Sequence, residues 1–309
     1  MKILVTGAAG YVGYAVARRL AAAGHETSGL VRDAGRPLPP GVRPVIGDLL
    51  DAAGLGAVLG GPYDAVCHLA ALTRVRESFA EPLRFFTANV QGTVNLLESL
   101  PTGTRLVYGS TAAVYGAPAR QPIPETETAA PTSPYGASKL AAEQAVRFHA
   151  GTGAIGAVVL RAFNVAGSVD GRPDPDLTRL IPKALAVAAG RAPHLEVNGD
   201  GTAVREYLHV DDLAAAHVRA LESTAVRPGE ERVYNVGTGR GASVAEVVAA
   251  VELATGRAVP VVRRPPRPEP PLLVCDARAI RRDLGWRPER SGLPEIIADA
   301  WSALPREGG

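Results

Sequence analysis

The chain opens on an apolar run, Lys2 to Thr6, that leads straight into Gly7-Ala8-Ala9-Gly10-Tyr11-Val12-Gly13 and then into a stretch of helical composition from Tyr11 to Ala23. Few architectures accept strand, glycine turn and helix in that order; a βαβ unit does. Glycines let the turn close tightly, let the backbone approach a pyrophosphate, and let helix pack close on strand. The helix N-terminus then offers free N–H groups and a positive dipole end to phosphate. The same glycines would also serve as plain punctuation between strand and helix, but their place after the first strand favours a dinucleotide. Gly7, Gly10, Tyr11 and Val12 are therefore candidate cofactor contacts.

Further apolar runs follow at Thr27 to Val31, Arg43 to Ile46, Ala65 to Ala70, RLVYGS from Arg105 and AVVLRAF from Ala157, with helical stretches between them. Continuous apolar strands alternating with helices imply a parallel sheet covered on both faces. Gly24 and Gly103 stand where helices are expected to stop. From about residue 166 the texture changes to Pro/Gly/Arg-rich loops such as GRPDPD and RRPPRPEPP. The expectation is an α/β fold with a doubly wound, Rossmann-like parallel sheet over residues 1–165 and a smaller C-terminal α/β part over 166–309 that binds substrate. With 309 residues and 46% hydrophobic content the chain can bury cores of that size.

Composition excludes several classes. Thirty-three basic against 31 acidic residues give a formal charge of +2, without the basic excess of a dedicated nucleic-acid binder. Two cysteines, Cys67 and Cys275, rule out a disulfide scaffold and a four-thiolate metal site. His68, His209 and His217 lack metal-ligand spacing and are read as structural, so no metal is expected. No apolar run reaches the roughly 18 residues of a membrane helix. Met1-Lys2-Ile3-Leu4 enters a strand at once and leaves no room for a signal peptide, so a soluble cytoplasmic protein is expected.

The end of the second strand, Gly29-Leu30-Val31-Arg32-Asp33, bears on the cofactor. The usual acidic position falls on Val31, and Arg32 next to it suits a 2′-phosphate, which favours NADP over NAD. Asp33 could still reach a ribose, and Arg32 could be a solvated loop charge. Asp48, in Gly47-Asp48-Leu49, could accept the adenine amino group or simply form an Asx turn.

Ser133-Pro134-Tyr135-Gly136-Ala137-Ser138-Lys139 reads as a helix start, with Ser133 as N-cap and Pro134 in the first position. Tyr135 and Lys139 are then one turn apart on one face. An ammonium beside a phenol favours the phenolate and prepares it for acid–base work. Only three of the 33 basic residues, Lys2, Lys139 and Lys183, are lysines, so a lysine here points to a need for a compact ammonium. Upstream, Tyr108-Gly109-Ser110-Thr111 ends a strand and brings hydroxyls to the carboxyl edge of the sheet.

Together with TGAAGYVG, GDL at 47–49, HLAA at 68–71, ANVQGT at 88–93, STAAVYG at 110–116, RAFNVAG at 161–167 and VREYLHVDDLA at 204–214, these residues closely resemble the extended short-chain dehydrogenase/reductase family of the NAD-dependent epimerase/dehydratase type. The resemblance runs nearly the whole chain and looks nearest to the UDP-galactose 4-epimerases. It implies a Thr111–Tyr135–Lys139 triad and cofactor contacts at Leu49, Leu69, Ala70, Ala71, Thr73 and Asn89. It implies diphosphate contacts at Asn164, Arg205 and Arg264, a return of about 204–237 to the first domain, and a homodimer through the helical stretches Pro82 to Leu100 and Pro134 to Ala150. The implied function is nucleotide-sugar 4-epimerisation by transient oxidation on NAD or NADP. The alternatives are an NADPH-dependent nucleotide-sugar ketoreductase and, against the intact triad, a non-catalytic dinucleotide-sensing regulator. The chain departs from relatives at two places. Ala112-Ala113 stand where dehydratases carry Asp-Glu, and Arg264-Pro265 continue with Pro266-Arg267 where 4-epimerases have Gly-Asp.

Overall fold

The computed structural model describes residues 1–305 apart from 60, 62, 224–225 and 267–269, so Arg267 lies outside the described residues. Seven strands form the main sheet in the spatial order Glu231–Val236, Gly156–Ala162, Arg105–Thr111, Ala65–His68, Lys2–Thr6, Glu26–Val31 and Arg43–Ile46. Every neighbouring pair is parallel. The winding reverses between Lys2–Thr6 and Ala65–His68, which opens a ligand crevice at the carboxyl ends of those strands.

The continuous apolar strands are explained by the two cores. Ile3 and Val5 point to one face, where the helices Tyr11–Ala22 and Val210–Glu222 pack with Val16, Leu20, Leu213 and Ala216. Leu4 points to the other face, against Leu55, Leu96, Ala142 and Val146 of the helices Ala52–Leu59, Gly92–Ser99 and Pro134–Gly151. A third core joins the helices Leu180–Ala188, Val244–Thr255 and Leu293–Ser302 through Ile181, Leu185, Val247, Val251, Ile296 and Ile297.

Beside this third core the strand Val204–His209 pairs in parallel with Asn164–Ala166 and Leu272–Leu273, and antiparallel with Gly241–Ser243. The chain then crosses back through Val210–Glu222 to add the edge strand Glu231–Val236. Gly24 takes φ +83° directly after the first helix and its C-cap, as expected. Gly103, at φ +90°, instead lies in the turn into Arg105–Thr111, because the helix before it already ends at Ser99. No helix is long and apolar enough to cross a membrane among the described residues.

Candidate active site

The glycine turn is built by close backbone contacts. Gly7 sits at φ +69°, and a Cβ there would lie 2.8 Å from the amide nitrogen of Ala70. A Cβ on Gly13 would lie 2.0 Å from the Gly7 carbonyl oxygen, so the helix can reach the turn only with glycine at that position. Gly10 is the N-cap and offers no side chain to the first turn, which also holds no acidic residue. The helix N-terminal N–H groups and the space that only glycine leaves at Gly7 and Gly13 fit the pyrophosphate of a dinucleotide.

Behind the turn runs a chain of buried hydrogen bonds. The amides of Leu69 and Ala70 both donate to Thr6 Oγ1 at 3.1 Å. Thr6 Oγ1 lies 2.7 Å from His68 Nδ1, and His68 Nε2 lies 2.9 Å from Thr93 Oγ1, whose hydroxyl donates to the Asn89 carbonyl at 2.6 Å. The hydroxyl of Thr6 is thus the donor to Nδ1, and the His68 proton sits on Nε2. Burial, helped by the Lys139 charge, pushes His68 down to about 3 and keeps it neutral. Asn89 lies on a single π-helical turn, Thr87–Gln91. Its amide brackets Leu72, accepting from the nitrogen at 2.8 Å and donating to the oxygen at 3.0 Å. It also donates to Ser138 Oγ at 3.0 Å, and Ser138 in turn donates to the Tyr135 carbonyl at 2.8 Å. Asn89 therefore ties the loop after Ala65–His68 to the helix that carries Tyr135.

That helix begins as the sequence reading expects, with Ser133 Oγ accepting from the Gly136 amide at 3.1 Å and Pro134 in its first turn. Tyr135 is 8% exposed and Lys139 3%. Phe85 meets the Tyr135 ring edge-on at 6.4 Å, and the Lys139 ammonium lies 4.0 Å from the centre of the Tyr108 ring. Thr111 ends the strand Arg105–Thr111 and caps a short turn, its Oγ1 accepting from the Ala113 amide at 3.2 Å.

The electrostatics correct one expectation. The ammonium of Lys139 was to bring the Tyr135 phenol down. Burial instead pushes that phenol up, and the groups pulling it down are Thr111, through a hydrogen bond, and the Arg179 guanidinium. Burial also pushes Lys139 down to about 7, against the attraction of Glu143. The dry setting that orients the two groups is what disfavours their charged forms.

Arg179 comes from the C-terminal part. It is the N-cap residue of Leu180–Ala188 and is held by Asp174 at 2.9 Å and Asp176 at 3.4 Å. Tyr11, at the start of the glycine-loop helix, donates to the Gly167 carbonyl at 2.8 Å, and burial beside Asp174 pushes its phenol well up. The two halves of the chain thus meet above Tyr135.

The other expected positions fall in two groups. Arg32 and Asp48 are both exposed, just beyond the carboxyl ends of the neighbouring strands Glu26–Val31 and Arg43–Ile46. Asp48 Oδ1 accepts from the Leu50 amide at 3.0 Å, so the Asx turn is present, and Asp33 does the same for Gly35 at 3.0 Å. Leu49 is buried, Val12, Leu69, Ala70 and Ala71 are half-buried, and Thr73 is exposed.

On the substrate side, Asn164 and Arg205 lie in one small sheet, where Asn164 pairs with Tyr207 and its Nδ2 donates to the Glu206 carbonyl at 2.8 Å. Arg264 lies on a separate strand, Val261–Arg264, beside Leu195–Asn198, and pairs with Glu196 at 2.6 Å. The sheet pairings bring Asn164 and Arg205 together without Arg264. His209 caps Val210–Glu222 and lies 3.0 Å from Asp299, while His217 Nδ1 donates to the Leu213 carbonyl at 2.9 Å. Among the described residues no group of three or more His, Cys, Asp or Glu could hold a metal ion.

Residues 3–237 match the NAD dependent epimerase/dehydratase family. The chain belongs to that family. It is 42% identical over 317 residues to a UDP-glucose 4-epimerase of Streptomyces lividans, covering 97% of this chain and 95% of the relative. Among solved structures it is similar to a UDP-glucose 4-epimerase from Brucella ovis in complex with NAD, with a TM-score of 0.89, 36% identity and 97% of both chains covered. It is equally similar, with a TM-score of 0.89, to one from Stenotrophomonas maltophila with bound NAD and formylated UDP-arabinopyranose, at 33% identity over 98% of this chain and 97% of that one. The family and the Rossmann-like doubly wound sheet expected from the motifs are both borne out.

Within this member of the epimerase/dehydratase family, sequence reasoning missed three charged residues that organise the site. Arg179 follows an acidic, proline-broken loop, and the Asp174/Asp176 spacing around it was the available signal. Glu143 is one helical turn beyond Lys139 and carries the buried ion pair with Arg161 at 2.6 Å. Glu206, wholly buried next to Arg205, accepts from the amides of Thr238, Gly239 at 3.0 Å and Cys275 at 2.8 Å. The partners of Glu143 and Glu206 are distant in sequence, so no local pattern announces them.

Proposed function

We propose that this chain is a nucleotide-sugar 4-epimerase that transiently oxidises the sugar at carbon 4. The observation that carries the reading is a buried Tyr135, its phenol favoured towards the phenolate by Thr111 and one turn from Lys139, beside a strand end followed by Ala112-Ala113 rather than by an acid–base pair. Without that pair, elimination of water has no second proton-transfer group beside Thr111. When bound, the nicotinamide supplies the hydride acceptor that turns the alcohol into a ketone and the hydride donor that reverses it. Gly7, Gly10 and the open helix N-terminus would hold the pyrophosphate, and Lys139 the nicotinamide ribose. Thr111 orients the sugar hydroxyl. Tyr135, as phenolate, takes its proton and gives it back after the ketone has turned its opposite face. Thr111 and Arg179 favour that phenolate against the burial that opposes it.

The cofactor proposed is NAD. The Brucella ovis relative holds NAD, and Asp33, with one carboxylate oxygen engaged by Gly35, keeps the other for a ribose. The nucleotide proposed is UDP, with Asn164 and Arg205 on the diphosphate and Arg264 reaching it by leaving Glu196. Residues 1–165 with about 204–237 are the proposed cofactor part and the remainder mainly the substrate part; Val204–His209 pairs within the small sheet, and Ala277, Ile280, Leu284 and Trp286 pack into the first core. We also propose a homodimer acting in the cytoplasm, where the buried free thiols Cys67 and Cys275 suit a reducing compartment.

The test is to supply the purified protein with UDP-glucose or UDP-galactose and follow both sugars by NMR. The expected result is formation of the 4-epimer without net change at the reduced-nicotinamide absorbance band. Stoichiometric consumption of NADPH with a keto-sugar, and no epimer, would move the assignment to a ketoreductase.

A further inference from the structure

Beneath the triad lies a buried polar cluster that the reaction scheme does not use. Glu143, 3% exposed, accepts from Arg161 Nε at 3.1 Å, from Arg161 Nη2 at 2.6 Å and from the hydroxyl of Ser110. Arg161 also donates to the Tyr115 hydroxyl at 3.0 Å, and Tyr115 donates to Asn235 Oδ1 at 2.8 Å. Ser110 directly precedes Thr111 on its strand, and Glu143 follows Lys139 by one turn on the helix of Tyr135. We propose that Glu143 is a positioning residue of this site: one buried carboxylate that ties the strand end carrying Thr111 to the helix carrying Tyr135 and Lys139, and serves as counter-ion to both Arg161 and Lys139.

Two physical arguments support it. The first is registry. A hydroxyl and a phenol that must grip one oxygen come from different elements, and the bridge Ser110–Glu143 joins those elements next to both groups. Burial makes such a bridge stiff, because breaking it leaves a carboxylate in a dry interior. The second is charge. Lys139 lies over the Tyr108 ring, acts on His68 of the neighbouring strand, and has Tyr135 and Glu143 one turn before and after it on its own helix. His68 is neutral, so Glu143 is the anion that opposes the burial of the ammonium. Glu143 itself is faced by Ser110 and Tyr108, by Arg161, and by Glu231 of the edge strand, with Arg147 facing Glu231. Lys139, Arg161 and Glu143 together leave one surplus positive charge, which a Tyr135 phenolate would balance.

The inference rests on the epimerase reading for its kinetic arm only. The low lysine count supplies a direct readout. Protein labelled with ¹³C at lysine Cε gives three signals, from Lys2, Lys139 and Lys183, and each Cε shift reports the protonation of its ammonium. In Glu143→Gln the Lys139 midpoint is expected to fall by about one pH unit, a tenfold loss of proton affinity, with Lys2 and Lys183 unmoved. Glu143→Asp, which keeps the charge and shortens the reach, should restore the midpoint. Ser110→Ala should leave the midpoint alone and lower kcat about tenfold with KM changed less than about twofold. Should Glu143→Gln fail to fold with Arg161 uncompensated, the double change with Arg161→Met removes both charges and gives the same reading. An unchanged Lys139 midpoint in the folded Gln variants, or wild-type kcat in Ser110→Ala, overturns the proposal. If the wild-type protein makes no epimer, the function fails separately and the lysine midpoint alone decides this inference.

Discussion

Tyr135 concentrates the chemistry at the residue scale. In the proposed reaction its phenolate takes the proton from a sugar alcohol while Thr111 holds the oxygen. Tyr135→Phe keeps the ring against Phe85 and removes only the acid–base, so turnover should fall by about 100-fold or more with the fold retained. Near-normal turnover would end the assignment. Arg32 gives a second residue-level test. If its guanidinium grips a 2′-phosphate, Arg32→Ala should weaken NADP by about 1.5 to 3 kcal/mol and leave NAD nearly untouched. Equal effects in a binding titration would return it to a solvated charge, as the NAD proposal expects. A third test concerns pH. Burial holds His68 down to about 3 and His217 to about 4. The unfolded chain takes up those protons near pH 6.5 and the folded one does not, so stability should fall as pH drops from about 6.5 towards 4. Each histidine contributes up to about 1.4 kcal/mol per pH unit in that window. Urea unfolding across this range should show the loss, and His217→Gln should flatten it; an unaltered slope would refute the account.

At the scale of elements, the local rules did most of the reading. Apolar runs bounded by glycine became parallel strands because both faces of the sheet are covered, and Ser133-Pro134 started a helix because cap and first-turn proline need nothing from elsewhere. What stayed hidden depends on contacts made across the fold. Asn89 looks like a cofactor contact in its motif, yet its amide is engaged by Leu72 and Ser138. Arg179 is electrostatically tied to Tyr135 only because two parts of the chain close over each other. Arg264, grouped by motif with Arg205, lies on another sheet beside Glu196. The glycine turn allows a paired test of this local logic. In Gly13→Ala the new Cβ would lie 2.0 Å from a backbone oxygen, which no side-chain motion relieves. A loss of about 3 kcal/mol or more is expected, together with loss of dinucleotide binding. Gly56→Ala, on the exposed face of Ala52–Leu59 with nothing within 4 Å, should stabilise by about 0.5 to 1 kcal/mol. Thermal melts moving in the same direction for both variants would contradict the argument.

At the scale of the whole molecule, exposed apolar side chains support the proposed homodimer. The helices Val75–Ala80 and Pro82–Phe86 pack beside Pro134–Gly151 and bury Phe85 and Tyr135 on their inner side. On the outer side they leave Phe79 60%, Leu83 79% and Phe148 69% exposed. Large apolar groups on adjacent helices form the kind of patch that a soluble chain covers by association, and a two-fold axis lets one such patch cover itself. The proposed homodimer therefore joins these helices from each subunit, close behind the helix that carries Tyr135 and Lys139. Light scattering at micromolar concentration should give the mass of two chains. Leu83→Arg with Phe148→Glu should give one chain with its circular dichroism retained, because both side chains are exposed in the subunit. Leu253 is 86% exposed on Val244–Thr255, in the other part of the chain, so Leu253→Glu should leave the dimer intact. A monomeric wild type would remove the interface, and a dimer lost through Leu253→Glu would move it to the other part of the chain.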